Sequence, residues 1–498
     1  MKSILYLFAA LLITFNVYAE NPKREFRGAW LHVIGQSQWA QKTPKQQREY
    51  ISKEFDLLEQ AGCNAVIFQV RPTADAVYKS DLEPWSAFLT GKRGKAPSED
   101  WDPLEYAIEE AHKRGMELHA WINPYRVTSS SKDILPANHD ANKHPERFIR
   151  YDGKIFFDPA YQENIDFICK VVKDIVSRYD VDAIHMDDYF YPYPVPGKEI
   201  PDASSYNKFG KGMNKGDWRR DNVNRLIKQI HSTIKTTKPW VRFGVSPFGI
   251  WRNKKNDPKG SNTNGFENYD GLYADPLLWA REGWIDYIAP QLYWALDHKL
   301  APSGHLAEWW NANANGVDVY IGHDTRQSMN TSDPKHNSTN EIATKVKLSR
   351  KLENIKGNIW WHGYWVTENY KGVRNILESD LQSTLALPPA YGDLSQSPAP
   401  VSGLKFENEN GEIVLKWNKE HRKGAETAND VVKYVVYEFL PGENSDDLDV
   451  AETIISITPE NSLAICSETE ESSMKNNIYV VTAVDRMNRE SKPSKIKL

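Results

Sequence analysis

Short apolar, β-rich runs alternate with stretches whose apolar residues recur every three or four positions, from about residue 26 to residue 387. The first run, residues 26–33, leads to Thr43-Pro44. There Thr43 suits a helix N-cap, Pro44 the first helical position and Gln46 the third, and Ile51, Phe55 and Leu58 form an apolar stripe before Gly62 ends the helix. Residues 65–70 predict the second strand. The next helix opens at Asp102-Pro103 with Glu105 behind it, buries Leu104, Ala107, Ile108 and Ala111, and stops at Gly115. The same grammar places strands at 116–121, 181–186, 241–245, 285–290, 317–321 and 358–361. Helices follow at 161–179, 218–234, after Asp275-Pro276, at 305–315, 340–355 and 374–385. Eight strand-helix units in succession predict a parallel (β/α)8 barrel in the α/β class. The absence of G-x-G-x-x-G and P-loop patterns after the first strand counts against nucleotide binding.

The grammar changes at a Pro- and Ser-rich stretch from Pro388 to Pro400, after which only short alternating runs remain, at 413–417, 434–439 and 478–484. About one hundred residues of such alternation suit a small all-β sandwich, immunoglobulin-like or fibronectin type III, with Trp417 as an inter-sheet anchor and Tyr479 as a candidate tyrosine corner. At the other end, Lys2, an apolar run from Ile4 and the small-x-small tripeptide Val17-Tyr18-Ala19 form a signal peptide. The expected organisation is a signal peptide over 1–19, a barrel over 20–390, a linker over 391–400 and a β-sandwich over 401–498. The product is expected to be exported, periplasmic or extracellular. No later run approaches the 18 or so apolar residues of a membrane span.

Composition narrows the partner. Lys and Arg total 62 against 67 Asp and Glu, for a net charge of -5, and Lys2 is the only charge lost with the leader. Neither a nucleic-acid footprint nor a polyanion fits this balance. Of the 17 Trp, all but Trp417 precede residue 390, so rings able to stack on sugars belong to the barrel segment. Cys63, Cys169 and Cys466 are too widely spaced for a disulfide framework or a metal knuckle and read as reduced thiols. A single Cys63–Cys169 bridge is the alternative.

Barrel chemistry sits at the C-terminal strand ends, and those ends are polar here. The fourth strand ends in His185-Met186-Asp187-Asp188-Tyr189, and two carboxylates there supply a nucleophile or base beside an acid. Alternation puts His185 and Asp187 on one side and Asp188 on the other, so Asp187 is expected to face the mouth as nucleophile or base, with Asp188 as its partner or as the acid. Arg71, Asp75, Asn123, Arg126 and Gln291 offer polar contacts to substrate. Trp121, His185, Tyr189, Tyr293, Trp294, His323 and Trp361 complete the expected binding set. Asp324 and Glu267 are alternative sources of a second carboxylate. A metal reading draws on His32, His119, His185, His323 and His362, but H-x-H on the first strand and H-E-x-x-H are both absent, and neither a metal nor a cofactor is expected.

Several blocks together resemble the glycosyl hydrolase-like 10 family over about residues 24 to 390. They are Phe26 through Leu31, Gln69-Val70-Arg71-Pro72 with Asp75, Glu83-Pro84-Trp85-Ser86, Leu118 through Arg126, Ile184 through Pro192, Gly244 through Asn253, and Pro290 through Trp294. The resemblance implies a secreted or cell-envelope (β/α)8 glycosidase, and relatives are associated with peptidoglycan glycan strands stripped of peptide. The position of Asp187 also resembles that of the α-amylase-like nucleophile. No Glu follows strand four or seven, so the xylanase-like pair of glutamates is not met and the acid is not assigned. The expected activity is hydrolysis of a polysaccharide by carboxylate chemistry. Two alternatives stay open: a non-catalytic carbohydrate-binding envelope protein, and a metal-dependent deacetylase or amidase on a wall polymer.

Overall fold

The structure is a computed structural model that describes residues 21–137, 139–419, 425–467 and 469–498. The expected signal peptide lies outside the described residues. Strands β1 (Phe26–Leu31), β2 (Ala65–Arg71) and β3 (Glu117–Ile122) precede a small hairpin, β4 (Phe148–Tyr151) and β5 (Lys154–Phe157). Then come β6 (Ala183–Met186), β7 (Arg242–Val245), β8 (Tyr287–Ile288), β9 (Asp318–Asp324) and β10 (Ile355–Trp361). Without the hairpin these close into an eight-stranded parallel barrel in the order β1-β10-β9-β8-β7-β6-β3-β2. The helix Pro44–Gln60 starts with the capping box of Thr43 and Gln46, and Asp102 caps Pro103–Lys113.

Two expected elements shrink to about a third of their expected length. The sixth barrel strand keeps only Tyr287 and Ile288 in the ladder. Pro290 has no N–H to donate, and Gln291 returns only as isolated bridges to Phe248 and Gly322. The final helix is a single turn, Val373–Ile376, that widens into a π-turn over Leu377–Leu381.

Along each strand one set of side chains faces the helices and the other the axis. The axial set is aromatic, with Phe26, Trp30, Trp121, Tyr287 and Tyr320 all buried in one cluster. Two glycines make room for it. A Cβ on Gly244 would lie 1.9 Å from the Tyr287 ring, and one on Gly322 would lie 2.8 Å from the Trp30 indole. A polar chain threads the same axis. The Trp30 indole N–H donates to His185 Nε2 at 3.1 Å, so His185 Nδ1 carries the proton and donates to the Tyr287 hydroxyl at 2.9 Å. That hydroxyl donates to His119 Nδ1 at 2.9 Å, and His119 Nε2 donates to Glu117 at 2.9 Å. Burial pushes both imidazoles below the usual histidine range, which keeps them neutral as this relay requires.

The C-terminal module has two antiparallel sheets, built from β11 (Lys405–Glu409), β12 (Glu412–Lys416), β13 (Val431–Phe439), β14 (Ile454–Thr458), β15 (Ser462–Ser467), β16 (Ile478–Asp485) and β17 (Ser494–Lys497). One sheet runs β11-β12-β15 and the other β14-β13-β16-β17. Leu415 and Trp417 from the first meet Tyr434, Val436 and Val481 from the second, and Trp417 sets its edge against Tyr434 at 5.4 Å. The Tyr479 hydroxyl donates to the Glu438 carboxylate across the ladder at 2.5 Å instead of to upstream backbone, so the tyrosine-corner expectation is corrected. The three thiols are unpaired, and burial pushes both Cys63 and Cys169 up to about 12.

This module closes the N-terminal end of the barrel. Asn488 donates to one oxygen of Glu117 at 2.6 Å, while the other oxygen takes Arg242 and His119. Tyr391, in the connecting segment, lies under the Arg242 guanidinium at 4.8 Å, and its hydroxyl sits between the carbonyls of Trp240 and Arg486, 2.7 Å from each. Lys23–Glu490 at 2.8 Å and Lys238–Glu426 at 3.1 Å flank the seam.

Breaking this floor pair leaves a buried cation without a partner. Glu117→Gln is expected to lower unfolding free energy by about 3–5 kcal/mol, measured by urea denaturation at pH 7. Arg242, with His119, holds the Glu117 carboxyl well below the usual carboxylate range against the cost of burial. A depressed folded value gives stabilisation that is complete above the unfolded value near ~4.3 and is lost as pH falls through the folded one, so the parent chain's loss of stability below about pH 5 should be shallower in the variant.

Candidate active site

On β6, Ala183 faces the axis while Ile184 and Met186 face the helices, and Asp187 continues the axial side just beyond the strand. There the chain turns, with the Tyr189 N–H on Asp187 Oδ1 at 3.4 Å. The turn brings Asp188 to the same cavity, so strand alternation alone would have misplaced it. The Tyr193 hydroxyl donates to Asp188, and the Gln291 amide lies against it. Both carboxylates are 6% exposed and line a cavity of about 280 Å³ at the C-terminal mouth of the barrel.

The walls are aromatic. Trp361 meets Trp30 at 6.3 Å and Trp121 at 6.1 Å, both edge to face, and stacks on Tyr293 at 6.5 Å with the planes 11° apart. Arg126 lies flat on the Tyr189 ring at 3.7 Å. Gln69 accepts the N–H groups of Val33 and Ile34 at 3.1 and 3.0 Å and so fixes the loop after β1, and Gln291 is held by the Ser246 carbonyl at 3.0 Å.

Burial dominates the electrostatics of the pair. It raises Asp187 well above the usual carboxylate range, the neighbouring Asp188 raises it further, and Arg126 and the Tyr189 N–H offset only part. Asp188 is raised too, chiefly by burial, with the Tyr193 hydroxyl pulling the other way. Two carboxylates in one small cavity titrate as a unit, and burial together with their mutual repulsion favours a state with a single proton on the pair. The site thus holds one protonated acid beside an ionised partner. His32, pushed down to about 4 by burial and by His362, stays neutral at the rim.

The cavity brings together Asp187, Asp188, Trp121, Arg126, Tyr189, Gln291, Tyr293 and Trp361 of the expected residues. Six others are placed elsewhere. Arg71 is fully buried, bidentate to Glu83 at 2.5 and 2.7 Å, with its Nη1 donating to the carbonyls of Asn123 at 2.5 Å and Pro124 at 3.1 Å. Asn123 donates to the Pro72 carbonyl at 3.1 Å. Asp75, pushed up to about 6 by burial, accepts from Thr73 and faces a separate depression with Arg93. His185 sits beneath the cavity in the axial chain. His323 turns to the helix side, hydrogen-bonded to Asn358 at 2.8 Å. Trp294 packs edge-on against Phe248 at 5.5 Å. Glu267 braces the loop through Asn253 and Asn256, and Asp324 caps the helix Thr325–Asn330 by accepting the Gln327 N–H at 2.8 Å. Among the described residues no three His, Cys, Asp or Glu side chains converge as a ligand set.

Trp30, His32, Ile34, Gln69 and Ser246 also line the cavity and were outside the expected set. Alternation from Phe26 and Gly28 was enough to place Trp30 on the axis.

A closed parallel barrel with a buried carboxylate pair and aromatic walls at its C-terminal mouth is the architecture of a barrel glycoside hydrolase. The profile of the family described as Glycosyl hydrolase-like 10 matches residues 25–338, and the chain belongs to that family. It is 40% identical to Glycosyl hydrolase YngK of Bacillus subtilis (strain 168), over 99% of this chain and 98% of that one. It is also 40% identical to Glycosyl hydrolase DigH of Escherichia coli (strain K12), over 58% of this chain and 70% of that one. Among solved structures, the α-L-fucosidase isoenzyme 2 from Paenibacillus thiaminolyticus shares 14% identity at a TM-score of 0.45, covering 71% of this chain and 49% of its own.

The raised carboxylates carry a stability cost with a definite sign. A folded value above the unfolded one means the native state binds more protons, so stability falls as pH rises from the unfolded value near ~3.9 through the folded one. Asp187→Asn is therefore expected to raise the thermal midpoint at pH 7.5, by roughly 1 °C for each kcal/mol relieved, and to change it little at pH 3.5. Differential scanning calorimetry at the two pH values checks both.

Proposed function

We propose that this chain is an exported glycosidase that cuts peptide-free peptidoglycan glycan strands at internal linkages. The observation that carries the reading is the pair Asp187 and Asp188 at one end of a cavity walled by Trp and Tyr. Asp187 acts as general acid toward the glycosidic oxygen, and Asp188 stays ionised beside the developing positive charge. This reverses the roles favoured by strand alternation: the two are equally buried, but the Asp188 charge raises Asp187 further, whereas Tyr193 and Gln291 donate to Asp188 and favour its ionised form.

The cavity continues past Ile34, Arg126 and Tyr189 into a second depression under the loop that carries Tyr191, Tyr193 and Val195, which suits a polymer lying across the mouth. Arg126 is placed to meet a carboxylate such as the lactyl group of muramic acid. The leader pattern at residues 1–19 supports export. The C-terminal module is read as fibronectin type III-like, since its strands in chain order group as first, second and fifth against fourth, third, sixth and seventh. Its role is to cap the barrel floor, a reading supported by the Asn488 and Tyr391 contacts.

Incubation with peptide-free strands, intact peptidoglycan, cellulose and mannan, followed by mass spectrometry, tests the substrate. Cleavage is expected on the peptide-free strands, and Asp187→Ala should reduce it by about 10²–10⁴-fold with the circular dichroism unchanged. A fully active variant, turnover confined to another polysaccharide, or activity abolished by a chelator and restored by zinc would sink the reading.

A further inference from the structure

We propose that the nucleophile in this site comes from the substrate, as the carbonyl oxygen of a 2-acetamido group on the sugar whose bond is broken, so that only glycosides of 2-acetamido-2-deoxy sugars are cleaved. The inference rests on the hydrolase reading above and deepens it.

Carboxylate pairs that act on both faces of a sugar stand about 5–9.5 Å apart across the scissile bond. Asp187 and Asp188 are neighbours in sequence, brought to one wall by the turn after β6. In the barrel order the strand across from β6 is β10, which carries Trp361, and among the described residues lining the cavity no other carboxylate occurs. The carboxylate nearest in topology, Asp324 at the end of β9, has one oxygen committed to the Gln327 N–H as a helix cap. The protein therefore provides an acid and a second anion on the same side, and nothing to attack from the other.

Beside the pair lies a fitting receptor for an acetamide. Trp30, Trp121 and Trp361 meet edge to face and form an apolar corner for a methyl group. The Trp121 indole N–H is buried against Asp187 and has no partner besides that carboxyl, so it is a donor that an acetamide oxygen can share. Tyr293, stacked on Trp361 near Asp188, keeps its phenolic proton and supplies a second donor. An ionised Asp188 accepts the acetamide N–H.

In the first step Asp187 gives its proton to the glycosidic oxygen while the acetamide oxygen bonds to C1 and the C1–O bond breaks. The leaving strand departs as an alcohol, and the cyclic oxazolinium is steadied by Asp188 on its N–H. Water then adds to C1, giving a proton to the Asp187 carboxylate as the C1–O bond to the acetamide opens. One water is consumed, and the acetamide and both aspartates are restored.

Two probes test this with the full chain: calorimetric titration with the thiazoline of N-acetylglucosamine, a stable sulfur analogue of the cyclic intermediate, and turnover of peptide-free strands carrying acetyl or trifluoroacetyl amides. Binding of the thiazoline is expected, weakened about tenfold or more by Asp188→Asn through loss of one charge-assisted hydrogen bond. Trifluoroacetyl strands should be cut roughly 100-fold more slowly, and Asp324→Asn should stay within about threefold of the parent. Equal rates on the two amides overturn the inference while leaving a glycosidase in place. So does an Asp324→Asn variant as inactive as Asp187→Asn and rescued by azide with a glycosyl azide product. If no strand is cut at all, the function reading fails, and the titration still decides the acetamide site: binding supports it and absence of binding overturns it.

Discussion

The buried Glu117–Arg242 pair is the constraint on which the molecule turns. Two charges are set at the closed end of a barrel, where their desolvation is tolerable only if every remaining donor and acceptor is met. Below, Asn488 and Tyr391 meet them from the C-terminal module and the connecting segment. Above, His119 passes the carboxylate's demand to Tyr287, His185 and Trp30. One ion pair therefore fixes how the module sits on the barrel and which tautomers line the axis. The aromatic rings packed around that axis depend on it for their orientation, and Gly244 and Gly322 depend on the rings.

The mouth works by the opposite logic. Asp187 and Asp188 sit in a small cavity with Arg126 turned onto Tyr189, too little positive charge to ionise both. At the floor, opposite charges are brought together and each offsets the cost of burying the other. At the mouth, like charges are crowded and the strain is kept as a held proton, ready for transfer.

Most of the fold was legible because its signals are local. Capping at Thr43 and Asp102 and the alternation of buried and axial residues need only a few neighbours to read, and they located all eight barrel strands. Pro290 cut β8 short for a reason equally visible in the chain. The site was harder. Asp187 was placed by alternation, but Asp188 enters the cavity through a turn that alternation does not describe. Arg71 and Asp75 look like ligand groups in the sequence and are consumed by Glu83 and Thr73 in space, since a buried charge goes to the nearest partner that satisfies it. His323 was assigned to the mouth although β9 turns it outward. The docking of the module depends on Asn488 meeting a residue 371 positions away, a pairing with no trace in local pattern.

The direction of the axial hydrogen bonds has one more effect. Because Trp30 is the donor at the head of the chain, its N–H points down the barrel and is already spent on His185. What it turns toward the cavity is hydrocarbon. A ligand group laid against the floor indole finds no polar partner in it, so carbon-bound hydrogens are favoured there over hydroxyls, which would give up water without a replacement.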